Sequence, residues 1–338
     1  MAQSTRADEG QLALFAQPPP APAPSKVPPA EHAQELHALG RRLSPRVHLG
    51  TSSWSFPGWE GLVWGGRVAK SVLSQEGLGA YSQHPLMRAV GVDRTWYAPV
   101  EAAVLADYAA QVPEAFRFLV KASEASVTQR WPSHARYGAH RGEPNPRFLD
   151  PAFAIDQVVG PFVEGLGAKA GPLVFQFPPQ RFSGLGGNDG FADHLYRFLD
   201  ALPRGPLYAV EVRNPALLGP RYAEALTSLG VAHCINVWGR MPAPEIQWQQ
   251  ARVAEAPALV IRWMLGFGNT YEAALERYAP FTAIVDADLP SRATLARLIR
   301  DATAMGKPTY AIINNKAEGC APESVRRLAE MIEAEGAA

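Results

Sequence analysis

The feature that most constrains the fold is an alternation of short apolar runs with longer segments of helical spacing, which begins just after Pro45. Eight runs have the length and composition of buried strands: 47–52, 88–95, 116–122, 172–177, 207–212, 232–237, 259–263 and 309–313. Helical spacing follows at 101–111, 153–166, 191–202, 221–229, 291–305 and 322–335. Eight strand–helix units over residues 45–338 are typical of a closed parallel sheet. They predict an α/β domain with the (β/α)8, or TIM-barrel, architecture.

An open, doubly wound sheet is the structural alternative. No Gly-x-Gly-x-x-Gly sequence follows the first predicted strand, so the dinucleotide-binding form of that fold is not indicated. The chain has 338 residues, of which 47% are hydrophobic, and that supplies enough apolar material for a large core.

Residues 1–44 have a different composition, rich in Ala, Pro and Gln, with a helical pattern only at 31–43. The Pro-rich stretch 18–29 is typical of an extended, semi-rigid spacer. We therefore predict a disordered, flexible tail over 1–44.

Charge and cysteine content exclude several classes of protein. The 32 basic and 32 acidic residues balance, whereas a dedicated nucleic-acid coat needs a basic excess, so direct contact with nucleic acid is left open only as a local patch. Cys234 and Cys320 lack Cys-x-x-Cys spacing, and no pair of histidines has ligand spacing. We expect no metal and no cofactor. No signal peptide or membrane-length apolar run is present, which favours a cytoplasmic protein with no membrane contact.

In a barrel of this kind, chemistry lies at the C-terminal ends of the strands. Polar and aromatic residues at those ends form the candidate ligand-binding set: Trp54, Tyr97, Lys121, Gln176, Arg213, Arg262, Asn314 and Asn315. The carboxylates Glu211 and Asp93 are the candidate catalytic residues.

The charges in this set leave a small positive excess. Lys121, Arg213 and Arg262 stand against Glu211 and Asp93, so we expect an anionic small molecule, such as a phosphate-bearing sugar or nucleotide, as the ligand. In this interpretation Trp54 and Tyr97 stack on the ligand, and Asn314 and Asn315 contact its polar edge. The same charges could instead neutralise one another as a buried network, and both interpretations stay open.

Whether the barrel is an enzyme is left open by the sequence. A metal-independent hydrolase or isomerase with Glu211 as acid or base is one hypothesis, and a glycosidase that pairs Glu211 with Asp93 is another. A non-catalytic adaptor in DNA replication or repair, with a degenerate active site, is the third. The long loop 129–150 carries four arginines with Trp131 and Tyr137, and it fits either a lid or a plain surface insertion.

Five ordered motifs carry a family resemblance. They are "LGTSSWSFPGW" at 49–59, "FRFLVKAS" at 116–123, "GPLVFQFPP" at 171–179, "AVEVRNP" at 209–215 and "INNKAEGCAP" at 313–322. Together they resemble the YecE-like family, also called domain of unknown function 72. The resemblance implies a TIM barrel and no established activity.

The chain departs from the family pattern at three positions. Gly91 stands where the family typically has an acidic residue, and Gln129 and Met264 stand where it typically has histidines. These lost residue types are the ones most often used for proton transfer. The departures imply altered chemistry or binding without turnover.

A second resemblance lies in the predicted tail. Gln11, Leu12, Ala13, Leu14 and Phe15 resemble the peptide by which bacterial replication and repair proteins dock on the DNA polymerase sliding clamp. The resemblance implies that Leu14 and Phe15 enter an apolar pocket of the clamp while Gln11 adds hydrogen bonds. Packing of Leu12, Leu14 and Phe15 on the barrel's own surface is the alternative.

Overall fold

The structure is a computed structural model that describes residues 27–266 and 268–334. The predicted clamp-binding residues Gln11, Leu12, Leu14 and Phe15 lie outside this range. Within it, eight parallel strands form one closed barrel in chain order, so the predicted TIM barrel is confirmed. The strands are β1 Val47–Thr51, β2 Ala89–Val92, β3 Arg117–Lys121, β4 Ala170–Phe177, β5 Tyr208–Val212, β6 Ala232–Val237, β7 Leu259–Trp263 and β8 Thr309–Ile313. The cylinder closes where β1 pairs with β8, from Val47 opposite Thr309 to Thr51 opposite Ile313.

Side chains alternate between the inside of the barrel and the helix layer because a strand has a period of two. The inner cluster consists mostly of small and medium residues, including Ala89, Leu119, Val174, Cys234 and Ile312. The alternate positions carry larger residues that pack under the helices. Both faces of each strand are buried, which explains the continuous apolar runs in the sequence.

Twelve α-helices occur in the described ranges. They are α1 Gln34–Arg42, α2 Lys70–Tyr81, α3 Ala102–Ala110, α4 Glu124–Val127, α5 Pro151–Ala154, α6 Gly160–Leu166, α7 Gly187–Asp200, α8 Pro220–Thr227, α9 Pro244–Gln250, α10 Tyr271–Tyr278, α11 Leu289–Ala304 and α12 Ala321–Ala334. The single helix predicted at 153–166 is divided by a π-helical turn, Ile155–Val159, between α5 and α6. Pro161 has no N–H to donate to the preceding turn, which favours this irregularity.

The folded domain begins before the predicted boundary at residue 45. Val27, Leu39 and Leu43 are buried in the main core, and α1 packs on α12. The Arg88 guanidinium donates to the carbonyl oxygens of Gly40 and Leu43 and, at 2.8 Å, to that of Ser44, so it satisfies the C-terminal carbonyls of α1. Residues 27–44 are thus part of the domain, in contrast to the flexible tail predicted for them.

Candidate functional site

Arg262 lies at the centre of the C-terminal mouth of the barrel. Its Nη1 donates to Oε2 of Glu211 at 2.6 Å, and its Nη2 donates to Oδ1 of Asp93 at 3.0 Å. The Arg262 and Glu211 side chains are 2% and 0% exposed. Residues at the ends of β7 and β5 and just after β2 therefore form one buried ion-pair network, as the strand-end rule predicts.

The second oxygen of Glu211 is also occupied. Oε1 accepts a bond of 2.9 Å from Nε of Arg213, whose guanidinium lies 4.5 Å from the ring centre of Trp238. Burial alone would raise the pKa of Glu211, but the charges of Arg262 and Arg213 outweigh it and lower this pKa to about 2. Glu211 is therefore ionised at neutral pH, and both of its carboxylate oxygens accept hydrogen bonds.

Lys121, the last residue of β3, has a different environment. Its Nζ lies 3.7 Å from the ring centre of Trp96, a cation–π geometry. Among residues 27–266 and 268–334, no carboxylate lies within ion-pair distance of this nitrogen. Burial lowers the pKa of Lys121 to about 7, and repulsion by Arg262 and Arg213 acts in the same direction, while Asp93 and Glu211 oppose it.

Two amides at the mouth are held beside these charges by strand register. Gln176 is paired with Glu211, and Asn236 is paired with Arg262. Asn236 Nδ2 donates to the carbonyl oxygen of Val212 at 3.0 Å. Three buried atoms, Gln176 Oε1, Asn236 Oδ1 and Arg262 Nε, have no hydrogen-bond partner in the described part of the chain. Buried polar atoms are ordinarily satisfied, so these atoms mark a place suited to polar groups of a ligand or to water.

The structure brings together six of the predicted site residues: Asp93, Lys121, Gln176, Glu211, Arg213 and Arg262. The other four have separate environments. Trp54 is 7% exposed and packs edge-to-face on Tyr108 of α3, with ring centres 5.0 Å apart, so it belongs to the helix layer.

Tyr97, in contrast, is 67% exposed on the outer rim. Asn314 donates to Ser52 Oγ at 2.8 Å and accepts from the backbone N–H of Lys316. Asn315 Oδ1 accepts from Trp59 Nε1 and from the N–H of Ala321 at the start of α12. These amides tie the loop after β8 to its neighbours.

Sequence reasoning missed Trp96, Trp238 and Asn236. Asn236 lies two residues after Cys234 on the inner face of β6, so the period of two could have identified it. Trp96 and Trp238 follow the ends of β2 and β6, but the sequence alone does not show which loop aromatic faces the mouth.

The loop 129–150 forms an ordered rim beside the mouth. Glu124 Oε2 accepts from Arg136 Nη2 at 2.6 Å and from the Tyr137 hydroxyl at 3.0 Å. The Arg136 guanidinium lies 5.2 Å from the ring centre of Tyr97 and 4.5 Å from that of Tyr137. Burial raises the pKa of Glu124, opposed by the Tyr137 hydrogen bond and by Arg136. Asn145 donates to the carbonyl oxygens of Ala125 and Thr128 and so attaches the loop to α4.

The three departures from the family pattern lie around the same end of the barrel. A Cβ atom on Gly91 would lie 3.1 Å from Cα of Ser52 and 3.2 Å from Cγ2 of Ile312, so this position faces the barrel interior. Met264 belongs to the inner apolar cluster, with Trp238 packed against that cluster. Gln129 donates its backbone N–H to Gln180 Oε1.

Within the described ranges, no three His, Cys, Asp or Glu side chains are grouped closely enough to hold a metal ion. The helices found there are all too short or too polar to cross a bilayer.

Fold and site together define a (β/α)8-barrel protein with an arginine-centred polar mouth at the C-terminal ends of its strands. The model of the family described as "Protein of unknown function DUF72" matches residues 48–338, and the chain belongs to this family.

Solved structures of the same family have a similar fold. A DUF72 family protein from Enterococcus faecalis is 17% identical, with a TM-score of 0.59 over 85% of this chain and 95% of that one. A DUF72 family protein from Thermotoga maritima is 19% identical, with a TM-score of 0.58 over 85% of this chain and 99% of that one. No curated protein matches the chain.

Proposed function

We propose that the protein binds a small anion, a carboxylate or a phosphate-bearing sugar or nucleotide, at the C-terminal mouth of the barrel. The observation that carries this proposal is the unequal pairing of the three cations. Arg262 is bonded to two carboxylates and Arg213 to one through its Nε. Within the described ranges, in contrast, Lys121 Nζ makes no ion pair, and the terminal nitrogens of Arg213 have no hydrogen-bond partner. The Lys121 ammonium group and the terminal N–H groups of Arg213 are therefore available to a ligand.

In this proposal Glu211 and Asp93 have a structural role, as counter-ions that hold the arginine side chains. Both oxygens of Glu211 are bonded to guanidinium groups and its pKa is lowered to about 2, which is unsuited to a general acid or base at neutral pH. The geometry therefore does not favour a two-carboxylate glycosidase. For a metal-independent hydrolase or isomerase, Lys121 is the better proton-transfer group, because its pKa is about 7.

Isothermal titration of the full chain with inorganic phosphate and with ribose 5-phosphate tests the proposal. Arg213→Met should weaken binding at least about tenfold, since a charge-assisted hydrogen bond contributes roughly 1.5–3 kcal/mol. The matched control is Arg221→Met on the outer helix α8, where Arg221 pairs with exposed Asp193. Equal affinity of Arg213→Met and wild type, or no binding of either anion by the wild type, would overturn the proposal.

We also propose a second role, in which residues 11–15 dock the barrel on the DNA polymerase sliding clamp and the barrel serves as an adaptor. The sequence Gln11-Leu12-Ala13-Leu14-Phe15 supports it, together with the Pro-rich composition of 18–29.

Fluorescence anisotropy of a labelled peptide of residues 8–20 with purified clamp tests this role. The Leu14→Ala, Phe15→Ala double variant should lose binding, because it removes the two apolar anchors. Equal binding of both peptides, or of neither, would reject the tether.

A further inference from the structure

We propose that Lys121 is a nucleophile that forms an imine with a carbonyl group of the bound anion, so that the ligand class is a 2-oxo acid or a phosphorylated aldehyde or ketone. This inference rests on the proposed anion site and names its substrate class.

The position of Lys121 supports the proposal. Lys121 ends β3 on the same face as Leu119, which belongs to the inner cluster of the barrel, so its side chain starts from the interior at the C-terminal mouth. The side chain is only partly buried. Its backbone is fixed, because Thr95 Oγ1 donates to the Lys121 carbonyl oxygen at 2.6 Å.

The surroundings favour the neutral amine. The three neighbouring carboxylates are engaged elsewhere: Asp93 and Glu211 pair with arginines, and Glu124 pairs with Arg136. Arg262 and Arg213 repel the ammonium form, while the Trp96 ring and the more distant charges of Asp93 and Glu211 stabilise it. An amine that is partly neutral at physiological pH is a competent nucleophile toward carbonyl carbon.

Three other lysines in the described ranges lack this combination. Lys169 donates to the carbonyl oxygens of Ala109 and Val112, and Lys307 donates to those of Ala254 and Ala256. Lys316 lies over the ring of Tyr271, which is 56% exposed. Lys316 thus provides a matched control: a lysine against an aromatic ring, but outside the arginine network.

The chemistry balances without an oxidant or reductant. The nitrogen lone pair of Lys121 forms a bond to the carbonyl carbon, and the carbonyl oxygen takes a proton to give a carbinolamine. Loss of that hydroxyl with a proton as water leaves a carbon–nitrogen double bond, and hydrolysis reverses the step. Arg213 would hold the anionic group of the ligand meanwhile, and the protonated imine would withdraw electrons from the adjacent carbon.

Pyridoxal 5′-phosphate, an aldehyde with a phosphate group, is the probe. The full-length protein is incubated with the probe, reduced with borohydride to fix any imine, digested and analysed by peptide mass spectrometry. We expect Lys121 to be labelled at least tenfold more than any other lysine, and saturating inorganic phosphate to reduce this labelling. Lys121→Arg, which has a similar length but no nucleophilic amine, should remove the adduct without loss of circular dichroism, whereas Lys316→Arg should leave Lys121 labelling unchanged.

Calorimetry on the same protein separates the two proposals. If phosphate binds and Lys121 is not labelled preferentially, the imine proposal is overturned and the anion site stands. If phosphate neither binds nor protects Lys121, both fail, because the imine proposal places the anionic group of the probe in that site.

Discussion

Nη1 of Arg262 lies 2.6 Å from Oε2 of Glu211, and this bond joins the C-terminal ends of β7 and β5. Both side chains are buried. When one partner of a buried ion pair is removed, the desolvation penalty of the remaining charge is no longer compensated, and breaking such a pair costs about 3–5 kcal/mol. The pair is therefore a strong constraint on the mouth whatever ligand occupies it.

Glu211→Gln should lower the free energy of unfolding by about 3 kcal/mol, since it leaves Arg262 without its closest counter-charge. Urea denaturation followed by circular dichroism measures the change. The control is Asp200→Asn, which breaks the exposed Arg204–Asp200 pair and should cost below about 1 kcal/mol. Similar losses in the two variants would contradict a special role of the buried pair.

The lowered pKa of Glu211 predicts that the stability of the fold decreases in acid. The folded pKa of Glu211, about 2, lies below its ordinary value of 4.5, so its contribution to stability is complete above about pH 4.5 and is lost as the pH falls toward 2. The free energy of unfolding of the wild type should decline over that interval, and more steeply than that of Glu211→Gln. Parallel declines would indicate that other groups dominate.

A second pH effect is expected from His233. Nδ1 of this buried ring lies 2.8 Å from the Tyr222 hydroxyl, and Nε2 lies 3.3 Å from Gln247 Oε1. Burial lowers the pKa of His233 to about 4, so the neutral ring stabilises the fold fully above about pH 6.5, and this contribution is lost as the pH falls to 4.

The expected loss from His233 is on the order of 3 kcal/mol. The test is a series of urea melts between pH 7 and pH 4. His233→Gln should reduce the slope of stability against pH, even if it lowers stability throughout. His194→Gln changes an exposed histidine on α7 and serves as the control. An unchanged slope in His233→Gln would refute the prediction.

Arg88 should attach the N-terminal helix to the barrel. Arg88→Met would leave the carbonyl oxygens of Gly40, Leu43 and Ser44 without this donor, at a cost of about 1–3 kcal/mol. Hydrogen exchange should become faster over residues 34–44, while the barrel strands keep their protection. Arg41→Met, on the exposed side of α1, should change neither. Uniform exchange in wild type and Arg88→Met would show that packing alone holds the helix.

We expect that a side chain at position 91 lowers the stability of the fold. Gly91→Ala places a methyl group 3.1 Å from Cα of Ser52, and relieving that contact should lower the free energy of unfolding by about 1–3 kcal/mol. Gly66→Ala is the control, because among the described residues, apart from its chain neighbours, nothing lies within 4 Å of a Cβ there. Thermal melts compare the two, and equal melting temperatures would show that the backbone near Ser52 adjusts freely.

The barrel could be predicted from sequence because each strand is a compact apolar run between helical segments. β6 and β7 were predicted with the bounds observed, since both faces of these strands are buried. α2 was not predicted: its apolar positions show little helical periodicity, and it contains Gly77 and Gly79, which disfavour a helix.

The site could be predicted as a set of residues but not as a network. Strand-end positions identified Glu211, Arg213 and Arg262 without information on distances. Which cations remain unpaired depends on contacts such as Arg262 to Asp93, between residues 169 positions apart in the chain. Trp54 was predicted to lie at the mouth but packs on α3. Its position depends on the direction of the loop after β1, which the sequence does not show.

Closure of the sheet between its first and last strands has a consequence for synthesis. While the chain is being synthesised, one edge of β1 has no partner strand until residues 309–313 have been made, because β8 pairs with β1 on that side. Open edges of parallel strands invite pairing with other chains. The nascent sheet therefore keeps an unpaired edge until β8 has emerged, and a chaperone that covers this edge would be useful up to that point.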